Sequence, residues 1–385
     1  MIAGSRIRTD WTLFGVIGAI AAFGLVMVYS ASSVVAQVLY HKETWELAAK
    51  QIVFALAGLV LMMFFKKVDY RRWNHPMWVF LPLSVVIILL AGVIPADSVA
   101  HRWYRFLGAQ IQPSELAKPV LVLFLAYFVA RRQDDINSRH TLGPAAIVVA
   151  GLAGLIGYAD LGTAAVILAP AVVIFYVAGI EKRYFYLSIF LAMLLGAGAI
   201  YQKPYRILRV TSFFGLTEQK ISEISQLHWL AVRIAESKAT RDADHQPRQA
   251  KIAVGSGGPM GVGLGEGGQK MGFLPEAHTD FIFGVVGEET GLWGTTALVI
   301  GYFIIFWRGL RLYWLAPDVF GRYLALGIAS LVSIQAFFNM SVVLNMAPTK
   351  GIPLPLVSYG GSALMTMLVM LGLLLSVSDQ SLEQA

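Results

Sequence analysis

The feature that most constrains this chain is a series of apolar segments, each close to the length that crosses a lipid bilayer. The first lies within Trp11 to Tyr40, where no side chain is charged. A hydrocarbon layer roughly 30 Å thick needs about 20 apolar residues per helix. The segments fall near 11–32, 47–65, 77–95, 115–130, 142–158, 162–180, 184–200, 281–306, 320–345 and 358–378.

Composition agrees with a chain that lies in lipid. Of its 385 residues, 57% are hydrophobic and 14% are charged, and the mean hydropathy is +0.65. A soluble protein of this length carries more charge. We therefore predict an all-α, polytopic integral membrane protein of about ten transmembrane helices, with one domain over 1–385 and a large loop, 201–280, between helices 7 and 8. The first apolar run is too long for a signal-peptide core, so we expect a retained helix.

The positive charges predict the orientation. If the N-terminus is cytoplasmic, 14 Lys and Arg residues lie in or beside the short connections on that side, and 4 lie opposite. The positive-inside rule then places both termini inside and 201–280 outside. The 14 are Arg6, Arg8, Lys66, Lys67, Arg71, Arg72, Arg131, Arg132, Arg139, Lys182, Arg183, Arg308, Arg311 and Arg322, and the 4 are Lys42, Arg102, Arg105 and Lys350.

Several classes of function are disfavoured by what the sequence contains. The net charge of +7 is spread in short clusters between apolar runs, which suits membrane orientation better than nucleic-acid binding. With no cysteine, the chain has no disulfide, thiol catalyst or Cys-ligated metal. No Walker A, zinc-protease pair or nucleophile elbow occurs. The run Gly263–Gly268 matches the dinucleotide fingerprint in letters, but it neither follows a predicted strand nor opens a βαβ unit.

The 201–280 loop has two parts of different character. Apolar residues recur at helical spacing between Ile221 and Ile234, which predicts an amphipathic helix that lies on the membrane or packs on the loop. Glycines then crowd 255–272, where stable helix is disfavoured, so we expect a close-turning loop.

Charged residues at membrane depth are candidate functional groups because burying them is costly. Glu115 and Lys118, one turn apart in the fourth segment, form either a structural ion pair or a site for a charged headgroup. Asp160, in a short turn, either caps the next helix or serves the site. Arg206 and Arg209 either hold a diphosphate or lie as interfacial arginines.

Two stretches carry many polar, proline or glycine residues, one at the start of the eighth apolar segment and one between the last two segments. In the first, Leu274–Phe283, Asp280 is placed at the rim of an apolar helix, where partial desolvation would raise its pKa, and His278 is close enough to tune it. An Asp before a helix is otherwise an N-cap. The second, Pro348–Ser362, contains three prolines and three glycines, which predicts irregular backbone lining a cavity. It places Lys350 in the same compartment as Asp280 and includes Ser358.

These motifs are where the chain resembles the SEDS family, the FtsW/RodA/SpoVE-like proteins, over nearly its whole length. The resemblance implies a ten-helix peptidoglycan glycosyltransferase that polymerises lipid II outside the bacterial cytoplasmic membrane with a class B penicillin-binding transpeptidase. It also implies that Asp280 is the catalytic aspartate and that Glu115 and Lys118 are the membrane-embedded pair. The motifs are Tyr29–Ser32, Gln112–Lys118, Asp160–Thr163, Leu274–Phe283 and Pro348–Ser362.

The chain departs from the family pattern before the glycine-rich stretch. A Gly-Tyr-Gln run is usual there, whereas this sequence has His245–Lys251 after a charged segment. The Pro348–Gly351 run resembles the division branch, and the Leu356–Tyr359 run resembles the elongation branch. The branch therefore stays open.

The chemistry of such a reaction agrees with a single rim carboxylate. Glycosidases need two carboxylates because a sugar alkoxide must be protonated to leave. A lipid diphosphate leaves without an acid, so one base suffices, with cations or a metal at the diphosphate. Asp280 with Arg206, Arg209 and Lys350 meets that need, and a divalent cation is left open. The competing interpretations are a flippase of the lipid-linked precursor and a scaffold that only recruits a partner.

The orientation can be tested directly because the chain has no native cysteine. A single cysteine at Ser237 should be labelled by a membrane-impermeant thiol reagent on intact cells, and one at Ser138 should be protected. Reversed labelling would contradict the orientation and move Asp280 to the cytoplasmic side.

Overall fold

The computed structural model describes residues 9–38, 43–93, 103–106, 109–216 and 242–382. Within them the chain forms twelve α-helices, one 3-10 helix at Tyr70–Trp73 and one antiparallel pair of strands, β1 (Tyr104–Phe106) and β2 (Ala109–Ile111). The helices are α1 (Trp11–Val38), α2 (Glu46–Lys67), α3 (Pro76–Val93), α4 (Pro113–Arg131), α5 (Arg139–Ala159), α6 (Leu161–Val177), α7 (Lys182–Gln202), α8 (Pro204–Phe213), α9 (Asp242–Ser256), α10 (Ile282–Leu315), α11 (Val319–Val343) and α12 (Gly361–Leu382).

Each of the ten predicted apolar segments overlaps one of these helices. Eight helices are long and apolar enough to cross a membrane, and α3 and α6 are shorter apolar helices. The prediction of a polytopic all-α membrane protein is thus confirmed. The predicted amphipathic helix between Ile221 and Ile234 lies outside the described residues, as do Lys42 and Arg102.

Small residues let the central helices approach closely. Most of the side chains of α4, α11 and α12 are buried, whereas α7 has no buried residue. A Cβ on Gly309 of α10 would overlap that of Ala329 on α11, and one on Gly327 would press on Val122 of α4. Packing between membrane helices relies on such close contact, because lipid supplies no hydrophobic force between them.

The bundle has two ends that differ in their polar contacts. The terminal end is the end where α1 begins and α12 ends, and the loop end is the end where α7 ends and α10 begins. Ion pairs and a tyrosine hydroxyl tie five helices and the 3-10 helix together at the terminal end. These contacts are Lys66 with Asp379 at 2.7 Å, Arg308 with Asp10 at 3.1 Å, and the Tyr70 hydroxyl with Asp318.

Candidate functional site

The backbone of residues 278–280, just before α10, is held at three successive carbonyls. Each accepts a hydrogen bond from a different donor on α11 or on the irregular segment that follows α11. The donors are the Tyr359 amide at 2.9 Å for His278, the Ser358 hydroxyl at 2.6 Å for Thr279 and the Asn339 side-chain amide at 2.7 Å for Asp280. The backbone from which the Asp280 side chain projects is therefore held by three hydrogen bonds.

Those donors are themselves fixed. Asn339 also donates to the Ile352 carbonyl at 2.6 Å, and the Ser358 hydroxyl accepts from the Leu354 amide at 2.7 Å. On α2, Gln51 donates to the Ser358 carbonyl at 3.2 Å and accepts from the Gly360 amide at 3.1 Å. The segment 352–360 is thus irregular, as predicted, and its backbone groups are satisfied by polar side chains from two helices.

The carboxylate of Asp280 is not used to cap a helix. The N-cap residue of α10 is Phe281, and no side chain caps that helix. Among the residues that the structure describes, none donates a hydrogen bond to the Asp280 carboxylate. Gly351 packs directly against it, since a Cβ built there would overlap Oδ2. The capping interpretation of Asp280 was wrong, and its carboxylate is available for chemistry.

The surroundings of Asp280, which lies outside the membrane-spanning helices, favour its protonated form. Desolvation by burial, followed by the charges of Glu276 and Asp160, raises the pKa of Asp280 to about 7. Lys350 and Arg209 act in the opposite direction. A carboxyl with such a pKa accepts and releases protons near neutral pH, as a general base must.

Asp160 has two tasks in the structure. Its Oδ1 accepts from the amides of Gly162 and Thr163 at 3.0 and 3.2 Å, which caps α6 as one interpretation expected. The same oxygen pairs with the Lys350 ammonium at 3.0 Å. The stem of Lys350 lies flat on Gly162, where a Cβ would overlap it. Because both charges also act on the pKa of Asp280, Asp160 and Lys350 belong to the same site as Asp280.

His278 is a neutral member of this site. Desolvation by burial lowers its pKa below its ordinary value, and the nearby charge of Glu276 opposes that shift only in part. Its ring lies 5.6 Å from that of Tyr359, and its Nδ1 has no partner among the described residues. A neutral imidazole can donate or accept a hydrogen bond without adding charge beside Asp280.

The two loop arginines differ in what they contact. The buried guanidinium of Arg206 donates to the carbonyls of Ala199, Gly157 and Tyr158 at 3.0 to 3.1 Å. It therefore joins the C-terminal turns of α5 and α7. The guanidinium of Arg209 lies 5.8 Å from the centroid of the Tyr205 ring and close enough to Asp280 to lower its pKa. Of the two, Arg209 is the one that reaches the site electrostatically.

Glu115 and Lys118 form a closed pair inside α4. The Lys118 ammonium lies 2.7 Å from both carboxylate oxygens of Glu115, and the two side chains are 1% and 2% exposed. Removing either charge alone would leave its partner buried and unpaired, which is strongly destabilising. The geometry fits a structural pair, and contact with a headgroup stays a prediction.

Sequence reasoning did not find the two amides that position the site. Asn339 and Gln51 each lie in a predominantly apolar helix and are 2% and 1% exposed. A polar amide inside an apolar segment was the available signal, because burial without a partner is costly. In the part of the chain that the structure describes, no three His, Asp or Glu side chains cluster as a metal site.

The fold and site define a class, a polytopic membrane protein in which the desolvated carboxylate of Asp280 is held at one end of the bundle. A family model described as Cell cycle protein, FtsW/RodA/SpoVE, matches residues 10–383, so the chain belongs to that family. A protein of Geobacter metallireducens named Probable peptidoglycan glycosyltransferase FtsW is 37% identical over 378 residues, covering 97% of this chain and 95% of its own. Stage V sporulation protein E of Bacillus subtilis is 35% identical and covers 93% of each chain.

Solved structures agree with this assignment. A chain from a structure described as "Structural coordination of polymerization and crosslinking by a peptidoglycan synthase complex" aligns with a TM-score of 0.72 at 26% identity, covering 97% of this chain and 98% of its own. The rod shape determining protein RodA of Thermus thermophilus aligns with a TM-score of 0.66 at 26% identity over 96% of each chain. The resemblance to the SEDS family is therefore confirmed.

The contact between Gly351 and Asp280 yields a prediction. In Gly351→Ala the added methyl group overlaps the Asp280 carboxylate, which must turn away, while the rest of the fold has nothing to displace. The kcat/KM with the lipid-linked sugar that the family resemblance implies should fall about tenfold or more. Thermal unfolding in detergent should be unchanged.

Gly360→Ala is the matched control in the same segment. A Cβ there meets the Cβ of Ala363 at 3.6 Å, an ordinary contact. Equal loss of activity in both variants, or full activity in Gly351→Ala, would show that the carboxylate position does not matter.

Proposed function

We propose that this protein is a peptidoglycan glycosyltransferase that polymerises lipid II, an undecaprenyl-diphosphate-linked disaccharide peptide, into glycan strands. The observation that carries the proposal is the Asp280 carboxylate, which has a pKa of about 7, is held in place by its backbone, and receives no hydrogen bond from the described residues. The names of the relatives support the same activity.

The proposed reaction needs one base. The Asp280 carboxylate takes the proton of the acceptor sugar hydroxyl while that oxygen bonds to the anomeric carbon of the donor. The bond from this carbon to the lipid diphosphate breaks, and the diphosphate leaves as an anion with the bonding electrons. Since this leaving group is already stable as an anion, the reaction requires no second carboxylic acid.

Cations beside Asp280 would bind the diphosphate. Lys350 and Arg209 both lower the pKa of Asp280, so their charges lie near the proposed reacting groups and make them candidates to bind the diphosphate. Lys350 is paired with Asp160, and in the proposed complex its ammonium turns from that carboxylate toward the diphosphate. His278 and Ser358 are also proposed to contact the substrate, and the Ser358 hydroxyl holds the Thr279 carbonyl beside Asp280.

The site is proposed to face the extracytoplasmic side of the bacterial inner membrane, with both termini in the cytoplasm. The imbalance of positive charge between the short connections supports this orientation. A class B penicillin-binding transpeptidase is the proposed partner, because new strands must be crosslinked. One structural neighbour was described in terms of coordinated polymerization and crosslinking, which supports such a pairing.

A flippase for the lipid-linked precursor is the second candidate. The buried Glu115 and Lys118 pair favours it, since charges inside a bundle often lie on a transport route. A flippase needs this pair and has no need of a base at Asp280. A scaffold that only recruits its partner needs neither.

Asp280→Asn separates these functions. The substitution keeps the size of the side chain and removes its basicity, so polymerisation of lipid II by the purified protein should fall roughly 100-fold or more. Because the carboxylate caps no helix, thermal stability should hardly change. Glycan products resolved on a gel provide the measurement.

Transport of the lipid-linked precursor in vesicles is the companion measurement. A stable Asp280→Asn protein that still makes long glycan strands would defeat the catalytic assignment. If transport then depended on Glu115 and Lys118, the flippase would become the better account.

A further inference from the structure

The helix α10 is broken at Gly291, and a loop fills the break. Gly291 has φ of 64°, so the helical hydrogen bonds stop there. Unpaired backbone groups at membrane depth are costly, and the glycine-rich segment 257–272 supplies partners for those at the break. The bonds run from the Val262 amide to the Glu288 carbonyl at 3.0 Å, from the Gly263 amide to the Glu289 carbonyl at 3.1 Å, and from the Leu292 amide to the Gly258 carbonyl at 2.9 Å.

Glycine is required at this junction because two backbones touch. A Cβ on Gly257 would overlap the Gly287 carbonyl oxygen, and one on Gly261 would overlap that of Glu289. Gly261 also has φ of 79°, which favours glycine. The glycines within 263–268, which match a dinucleotide fingerprint, also contact α10, since the amides of Gly263 and Gly265 bond to Glu289. Their role in this chain is therefore packing against a helix.

Three buried side chains secure the loop in the break. The Glu289 carboxylate accepts from the Lys270 ammonium at 2.6 Å, the Ser30 hydroxyl at 2.6 Å and the Gly265 amide at 3.0 Å. The ammonium also donates to the Gly265 carbonyl at 2.7 Å and to the Ser30 hydroxyl at 2.8 Å. We call Ser30, Lys270 and Glu289 the loop clamp, which joins α1, the loop and α10.

The adjacent carboxylate holds the same loop. Glu288 accepts from the amides of Gly268 and Gln269 at 2.8 and 3.2 Å. Glu288, Glu289 and Lys270 are 4%, 1% and 2% exposed. Buried charges are tolerated only when each is paired with an opposite charge or hydrogen-bonded, so the loop cannot leave the break without leaving these groups without partners.

The clamp lies immediately before the segment that carries the base. From Lys270 the chain runs through Leu274, which is buried, to the anchored carbonyls of 278–280. One end of this short stretch is held by the loop clamp and the other by Asn339, Ser358 and Tyr359. The loop clamp and these anchors therefore hold the two ends of the stretch that carries the base.

We propose that Lys270, Glu289 and Ser30 are positioning residues for glycosyl transfer, because the loop clamp fixes where the chain enters the segment that carries Asp280. This inference rests on the proposed function, since the reaction it serves is the one assigned to Asp280. None of the three side chains needs to touch the substrate.

The test uses a double variant of the full-length protein, Lys270→Met with Glu289→Gln. Removing one charge alone would leave its partner buried and unpaired, whereas replacing both commonly preserves folding. We expect kcat for lipid II polymerisation to fall about tenfold or more with KM changed less than about twofold. Hydrogen exchange of the amides in 265–272, measured by mass spectrometry in detergent, should accelerate.

Lys66→Met with Asp379→Asn is the matched control, because that pair is also largely buried, at 2.7 Å, but lies at the terminal end. It should leave kcat and the exchange of 265–272 unchanged. An unchanged kcat in the clamp variant, a lower kcat without faster exchange, or an equal loss in the control would overturn the proposal. Wild-type protein that makes no polymer would overturn the proposed function instead, and unchanged exchange in the clamp variant would still refute the clamp.

Discussion

The structure of the site depends on one constraint, the anchoring of three successive carbonyls at residues 278–280. Asn339, Ser358 and Tyr359 each supply one donor, and each belongs to a part of the chain far from Asp280 in sequence. Backbone groups in a membrane bundle must find partners within the protein. Meeting that demand here also places a carboxylate, so the bonds that satisfy the backbone are those that position the base.

Placement and desolvation together explain why Asp280 suits proton transfer. Its backbone is fixed, yet its carboxylate receives no hydrogen bond from the described residues, which leaves the ionised form less stabilised than in a typical surface aspartate. Neighbouring carboxylates raise its pKa further, and Lys350 and Arg209 limit the increase. In the proposed complex the same two cations also bind the diphosphate, so that one set of charges would serve the base and the leaving group.

Much of this was predictable from the sequence, and the rest required the folded chain. The ten apolar segments predicted the helices because bilayer thickness sets helix length, and the prolines and glycines of 348–362 predicted irregular backbone. Asp280 was found through its polar neighbours, but its supposed role as a cap was wrong, because α10 begins one residue later than such a cap requires. Asn339, Gln51 and the loop clamp were missed, since their roles depend on contacts between distant segments.

The pH dependence of kcat/KM for lipid II polymerisation tests most directly whether Asp280 is the base. Its carboxylate must be ionised to accept a proton, so activity should rise with pH through an apparent pKa of about 7 and then level off. Glu276 raises that pKa, so Glu276→Gln should move the rising limb to lower pH. A profile that is flat from about pH 5 to 9, or a shift to higher pH in Glu276→Gln, would contradict the account.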